Sequence, residues 1–259
     1  MPSIIKKQVE KVTYLYLNRP QKFNSFNREM ALSFQKHLDD CAKDENTRAI
    51  VIIGKGKAFC AGQDLQEVTN PDENPGFKKI LEEHYNPIVS RIRNLEKPVI
   101  AAVNGVAAGA GANLALCCDI VVACEKASFI QAFSKIGLIP DSGGTYFLPR
   151  LVGFQRASAL AMLGDKIDAF EAERMGMVYT YYSSETFKNE IEKLAKRVAN
   201  MPTQALANIK KTFNESMTNT LEDQLNLESK YQIASAETED YREGVKAFIE
   251  KRKPQFKGK

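Results

Sequence analysis

The stretch from Pro98 to Cys118, PVIAAVNGVAAGAGANLALCC, limits the fold more than any other part of the chain. By length it could be weighed as a membrane span. Asn104, Gly105 and Asn113 interrupt it, and it runs straight into Asp119. An Asn-Gly pair is a turn signal, so the stretch reads as a buried strand, a turn and a short helix. Nothing else in the chain is a candidate span. We expect a soluble protein with no membrane partner.

The neighbouring pattern agrees with that reading. Val12 to Leu17 (VTYLYL) predicts a strand ended by Asn18-Arg19-Pro20, and Ala49 to Ile53 (AIVII) predicts a buried one. Asn27 can cap a helix with Met30, Phe34, Leu38 and Cys41 on one face. Lys78 to Leu95 has a helical apolar stripe of Ile80, Leu81, Ile88, Val89 and Ile92, with His84 on the exposed side. Asp119 to Ala123 (DIVVA) and Ser128 to Gln131 read as further strands. Beyond Gly143 the pattern becomes helical, with breaks at Gly153, Gly164, Gly176 and Pro202. Strands alternate with helices to about Tyr182, and the rest is almost all helix. The expected organisation is an α/β core over residues 1–200 and a C-terminal helical region over 201–259.

Composition excludes several classes. The net charge of +4 is mild and the lysines are scattered, so no nucleic-acid partner is expected. The five cysteines form no C-x-x-C pair, which suits neither a disulfide framework nor a zinc site. They imply a reducing compartment. The start, MPSIIKKQVEKV, has no apolar signal core, and a cytoplasmic location is expected. Gly109-x-Gly111 lacks the third glycine of a dinucleotide fingerprint, and GKGKAFCAG is not a Walker loop.

Three segments carry chemistry. Ala58 to Leu65 (AFCAGQDL) reads either as a plain turn or as a tight loop that aims a backbone N–H at a ligand. Gly105 to Asn113 opens a helix with small residues, either for close packing or to offer free N–H groups to negative charge. Ile139 to Thr145 (IPDSGGT) sets Asp141 beside two glycines, as a helix cap or as a working carboxylate.

Together with KPVIAAVNGVAAGAGANLAL, DIVVA, FIQAFSKIGLIPDSGGTYFLPRLVG and EGVKAFIEKRKPQF, these segments resemble the crotonase (enoyl-CoA hydratase/isomerase) superfamily over the whole chain. The resemblance implies a spiral of β-β-α turns, followed by helices that build a homotrimer or hexamer. It implies an acyl-CoA substrate whose thioester oxygen lies between the N–H groups of Gln63 and Ala110. Ala61, Gly62, Asp64, Gly109, Asn113 and Phe133 would border the substrate. Lys251 or Lys257 would meet the coenzyme A phosphates. No metal and no separate cofactor is implied, because coenzyme A is part of the substrate.

The departures from the family pattern narrow the activity. Hydratases of the family use two glutamates, at positions occupied here by Asn113 and Phe133. Neither side chain can act as a general base. Asp141 remains, in a segment similar to the ring-epoxide isomerase branch of the family. The expectation is an isomerase that shifts a double bond or rearranges a ring epoxide, with Asp141 shuttling the proton. Phe133, Ile139 and Phe147 are expected to shield it. A related dehalogenase pattern needs a tryptophan, and the chain has none. Hydratase-like or binding-only behaviour, and RNA binding, are the alternatives.

Overall fold

The computed structural model describes residues 1–72 and 74–259. The chain opens with β1 (Ile4–Val9) and β2 (Val12–Leu17), paired antiparallel, then α1 (Arg28–Lys43). Next come β3 (Ala49–Gly54), β4 (Ala58–Cys60), α2 (Leu65–Thr69), α3 (Phe77–Lys79), a π-turn (Ile80–Tyr85) and α4 (Asn86–Asn94). The second turn of the spiral is β5 (Val99–Val103), β6 (Val106–Ala108) and α5 (Ala110–Leu116). The third is β7 (Ile120–Cys124), β8 (Ser128–Ile130), α6 (Gly144–Val152) and α7 (Phe154–Leu163). The remainder is β9 (Lys166–Asp168), α8 (Ala169–Arg174), β10 (Thr180–Tyr182), α9 (Phe187–Ala199), α10 (Thr203–Ser216), α11 (Leu221–Ala236) and α12 (Glu239–Ile249).

Two sheets result, in the orders β1-β2-β3-β5-β7-β10 and β4-β6-β8-β9. Each turn of the spiral lays one strand in the large sheet and the next in the small one, parallel to its predecessor. The large sheet is covered on both faces, which explains the unbroken apolar runs of β3 and β5. Leu15, Ile50, Ile52, Ala101 and Val121 face α1, α4 and α5. Val12, Val51, Ile100, Ala102 and Val122 face Phe187 and Ile191 of α9. The 98–118 stretch is a strand, a turn, a second strand and a helix. Among the described residues no helix is long and apolar enough to cross a membrane.

Of the small sheet, only β8 was legible, as the strand expected at Ser128 to Gln131. AFC and VAA read as loop and turn, yet they form β4 and β6. Three residues are too few to show a period, and pairing with neighbours decides them. The 78–95 helix contains a π-turn over Ile80–Tyr85. The extra residue in that turn rotates His84 inward. His84 is not on an exposed face as its sequence position suggested: it is 1% exposed.

Beyond Pro202 the helices hold the core through polar contacts. The Lys210 Nζ of α10 lies 2.8 Å from the Asp119 Oδ2, and Arg93 bonds the other Asp119 oxygen at 3.0 Å. Burial pulls the Lys210 pKa below its usual value. The Asp119 Oδ2 also accepts from the Val99 N–H, at 2.8 Å. At the tail, Arg48 donates to the Phe256 carbonyl at 2.7 Å, and Asp240 accepts from the N–H groups of Lys257 and Gly258. Arg48 directly precedes β3, so the tail is tied to the large sheet where β3 begins.

Removing one partner of a buried ion pair strands the other charge. Asp119→Ala leaves both Lys210 and Arg93 without their carboxylate. We expect a loss of about 3 kcal/mol in urea unfolding, whereas Lys211→Ala, which breaks an exposed pair with Glu96, should change stability by less than about 1 kcal/mol.

Candidate active site

The loop after β4 is shaped by Gly62, whose φ of +89° suits glycine. A Cβ there would stand 3.0 Å from the Ala108 carbonyl oxygen and 3.4 Å from the Ala110 nitrogen. The bare backbone of residue 62 therefore lies against the start of α5. Phe26 N–H donates to the Gly62 carbonyl and Asp64 N–H to the Phe26 carbonyl, at 2.7 and 2.8 Å. This pairing leaves the intervening Gln63 N–H without an acceptor among the described residues. Ala110 is the first residue of α5, and its N–H has no acceptor within the helix. Two free N–H groups thus stand on adjoining segments, one of them at a helix N-terminus.

The polar side chains around this loop are committed to holding it. Gln63 Nε2 donates to Glu67 at 2.7 Å, and its Oε1 accepts from the Tyr85 hydroxyl at 3.0 Å. Glu67 also accepts from the Arg28 N–H. Asp64, expected at the substrate, instead pairs with Arg19 at 2.7 Å and caps α2 through the Gln66 N–H. Ala61 N–H is tied to the Phe23 carbonyl, and Gly109 N–H to that of Ile130. Tyr85 was missed in the sequence, and Glu67 was read only as the start of a turn-rich loop (67–76) bordering the site. The π-turn that brings Tyr85 inward leaves no sequence signal, and Glu67 sits in a segment that reads as a polar loop.

Asp141 lies across one turn of α5 from Ala110. Asn113, three residues into that helix, donates from Nδ2 to the Asp141 carbonyl at 2.8 Å. The Asp141 carboxylate does not cap α6, whose N-cap is Gly143 and has no side-chain cap bond. Its Oδ1 accepts from the Ser142 hydroxyl at 2.9 Å. Burial pushes its pKa up to about 6, against weaker opposing pulls from Ser142 and its own backbone. Phe133 packs beside Gly109, and Phe147 beside Gly143. Ile139 takes no part in the expected shielding, being 78% exposed. Asn113 is fully buried, with its amide turned to the Asp141 loop and not to a ligand. Among the described residues no group of three His, Cys, Asp or Glu side chains is placed to hold a metal ion.

The family model for enoyl-CoA hydratase/isomerase matches residues 7–259. The chain belongs to the enoyl-CoA hydratase/isomerase family. It is 47% identical to the 1,2-epoxyphenylacetyl-CoA isomerase of Escherichia coli, with all of both chains covered. It is 43% identical to a probable enoyl-CoA hydratase of Rhodobacter capsulatus, over 96% of each chain. The crystal structure of an enoyl-CoA hydratase from Bacillus anthracis superposes with a TM-score of 0.92 at 31% identity, covering 99% of this chain and 100% of that one. The fold is that of the crotonases.

A carboxylate whose pKa is higher folded than unfolded holds its proton more tightly when folded. Its ionisation costs stability once pH exceeds the unfolded value of 3.8, and the cost is complete above the folded value of about 6. Asp141→Asn removes that cost. We expect the variant to be more stable than the parent at pH 8, by roughly 1–3 kcal/mol, and to show no gain at pH 3.5. Urea unfolding at the two pH values measures it. A helix-capping aspartate predicts the reverse, a loss at pH 8.

Proposed function

We propose that the protein isomerises acyl-CoA thioesters, moving a double bond of a 3-enoyl-CoA type substrate or rearranging a ring epoxide of the 1,2-epoxyphenylacetyl-CoA type. The observation that carries the reading is a half-buried carboxylate, with a pKa of about 6, one helical turn from a pair of free backbone donors. In the double-bond shift, Asp141 takes the proton from the α-carbon. The C–H electrons form the enolate, whose oxygen accepts from the N–H groups of Gln63 and Ala110. Fixed donors in a dry site and a helix N-terminus stabilise that oxyanion. The electrons then return through the conjugated chain, the γ-carbon takes the proton back from Asp141, and the double bond has moved. A pKa near the working pH lets one group do both.

Ala61, Gly62, Gly109 and Phe133 would border the acyl group. No metal or redox group takes part in these steps, and coenzyme A enters as part of the substrate. The name of the Escherichia coli relative supports an isomerase, and the Rhodobacter name supports a hydratase. Asn113 and Phe133 at the hydratase glutamate positions favour the former. The five free cysteines favour a cytoplasmic setting.

Asp141→Asn should lower turnover of a 3-enoyl-CoA by roughly two to four orders of magnitude with little change in KM. Hydration of crotonyl-CoA by the parent protein should stay near background. Steady-state kinetics of both reactions tests the reading. Wild-type turnover in the variant, or a robust hydration rate in the parent, would sink it.

We further propose that the protein assembles as a homotrimer or a pair of trimers. The C-terminal helices leave Phe213, Leu221, Leu225 and Phe248 exposed, and α11 buries none of its residues. Such apolar faces call for a partner surface. Sedimentation velocity at micromolar concentration should give about three or six chain masses. A stable monomer there rules the assembly out.

A further inference from the structure

Asn113 and Gln131 form a hydrogen-bonded chain that ends on Asp141 and is closed to any ligand. Asn113 is 0% exposed and Gln131 4%. Asn113 Nδ2 donates to the Asp141 carbonyl at 2.8 Å, and Asn113 Oδ1 accepts from Gln131 Nε2 at 2.8 Å. The direction of this chain is forced. A carbonyl oxygen can only accept, so the NH2 of Asn113 must face Asp141. Its oxygen then faces Gln131, which must present its own NH2. The other end of Gln131, Oε1, is left buried with no partner among the described residues. An unpaired buried carbonyl is costly, and a hydrocarbon side chain at 131 would only move that cost to Asn113 Oδ1, which would lose its donor.

The contact with Asp141 is close as well as directional. The Asp141 carbonyl also accepts from the Gly144 N–H, at 2.8 Å. Gly144 lies so near that a Cβ on it would overlap the Asn113 amide. Two donors thus hold one carbonyl from beneath, while Ser142 holds the carboxylate from the side. No charged neighbour contributes to the shift of Asp141; burial does. The nearby Tyr85 is itself buried, and its pKa is driven well above the usual value, first by that burial. The location of the Asp141 backbone therefore decides how wet its carboxyl group is.

We propose that Asn113 and Gln131 are positioning residues for proton transfer, locking the Asp141 loop onto α5 so that its carboxyl stays in the dry site. This rests on the reading of Asp141 as the proton carrier. It gives position 113 a chemical requirement: the residue must be a neutral donor. A carboxylate at 113 would set negative charge against a carbonyl oxygen and open the loop.

The test uses Gln131→Met and Asn113→Asp in the full chain, read by the pH profile of kcat with a 3-enoyl-CoA, by KM and by thermal melting. Gln131→Met removes the unpaired Oε1 at similar volume but leaves the buried Asn113 Oδ1 without its donor, so its melting temperature should lie close to the parent's. Its kcat should nevertheless fall roughly tenfold to a hundredfold at constant KM. The acid limb of its profile, expected near 6 in the parent from the raised Asp141 pKa, should move toward an ordinary carboxylate as the loop hydrates. Asn113→Asp should lose more, and if it does not fold, Gln131→Met alone decides. Wild-type kcat and an unmoved acid limb in Gln131→Met would overturn the proposal. If Asp141→Asn is inactive while Gln131→Met behaves as the parent, only the positioning role falls. Should Asp141→Asn itself remain active, the isomerase reading falls first.

Discussion

The structure depends on backbone meeting backbone between successive turns of its spiral. A Cβ on Gly105 would overlap the Lys57 carbonyl, and one on Gly111 would overlap that of Cys60. Side chains at these points would push the turns apart by more than a packed interior tolerates. Because Gly111 is flush with β4, the start of α5 lies against Gly62, and the free N–H groups of Gln63 and Ala110 share one space. Because α5 is fixed there, Asn113 reaches Asp141. The site is therefore a consequence of how closely the turns stack.

Much of this was legible in the chain, for physical reasons that differ by element. The central strands of the large sheet are covered on both faces, so their apolar runs could be read without ambiguity. The Asn27 cap of α1 is a local contact, between its side chain and the Met30 N–H, and local contacts leave local signals. The short strands β4, β6 and β9 owe their existence to neighbours far along the chain, and three residues carry no pattern of their own. The π-turn was invisible because the apolar stripe of 78–95 fits an α-helix well enough. Its effect, burying His84 and Tyr85, appears only in three dimensions.

The site residues divide in the same way. The roles proposed for Gln63 and Ala110 fall to main-chain groups, so the two residues could be placed only through glycine spacing and the family resemblance. Asp141 stood out as a carboxylate beside glycines; taken alone that segment favoured a helix cap, and α6 is capped without it. Asp64 looked like a ligand contact because it sits in the loop. Its true partners, Arg19 and the Gln66 N–H, hold the loop's outer edge.

The π-turn has an implication for how such a site changes over time. A single surplus residue is absorbed between Ile80 and Tyr85, ahead of the uninterrupted α4. Deleting one residue there would restore ordinary winding and swing the preceding segment by about 100° about the helix axis. Tyr85, whose hydroxyl bonds the Gln63 side chain, belongs to that turn, so the contacts that hold the Gln63 loop would change with it. One residue gained or lost in this segment would thus reach the Gln63 loop through a change of helix winding, with the sheet left as it is.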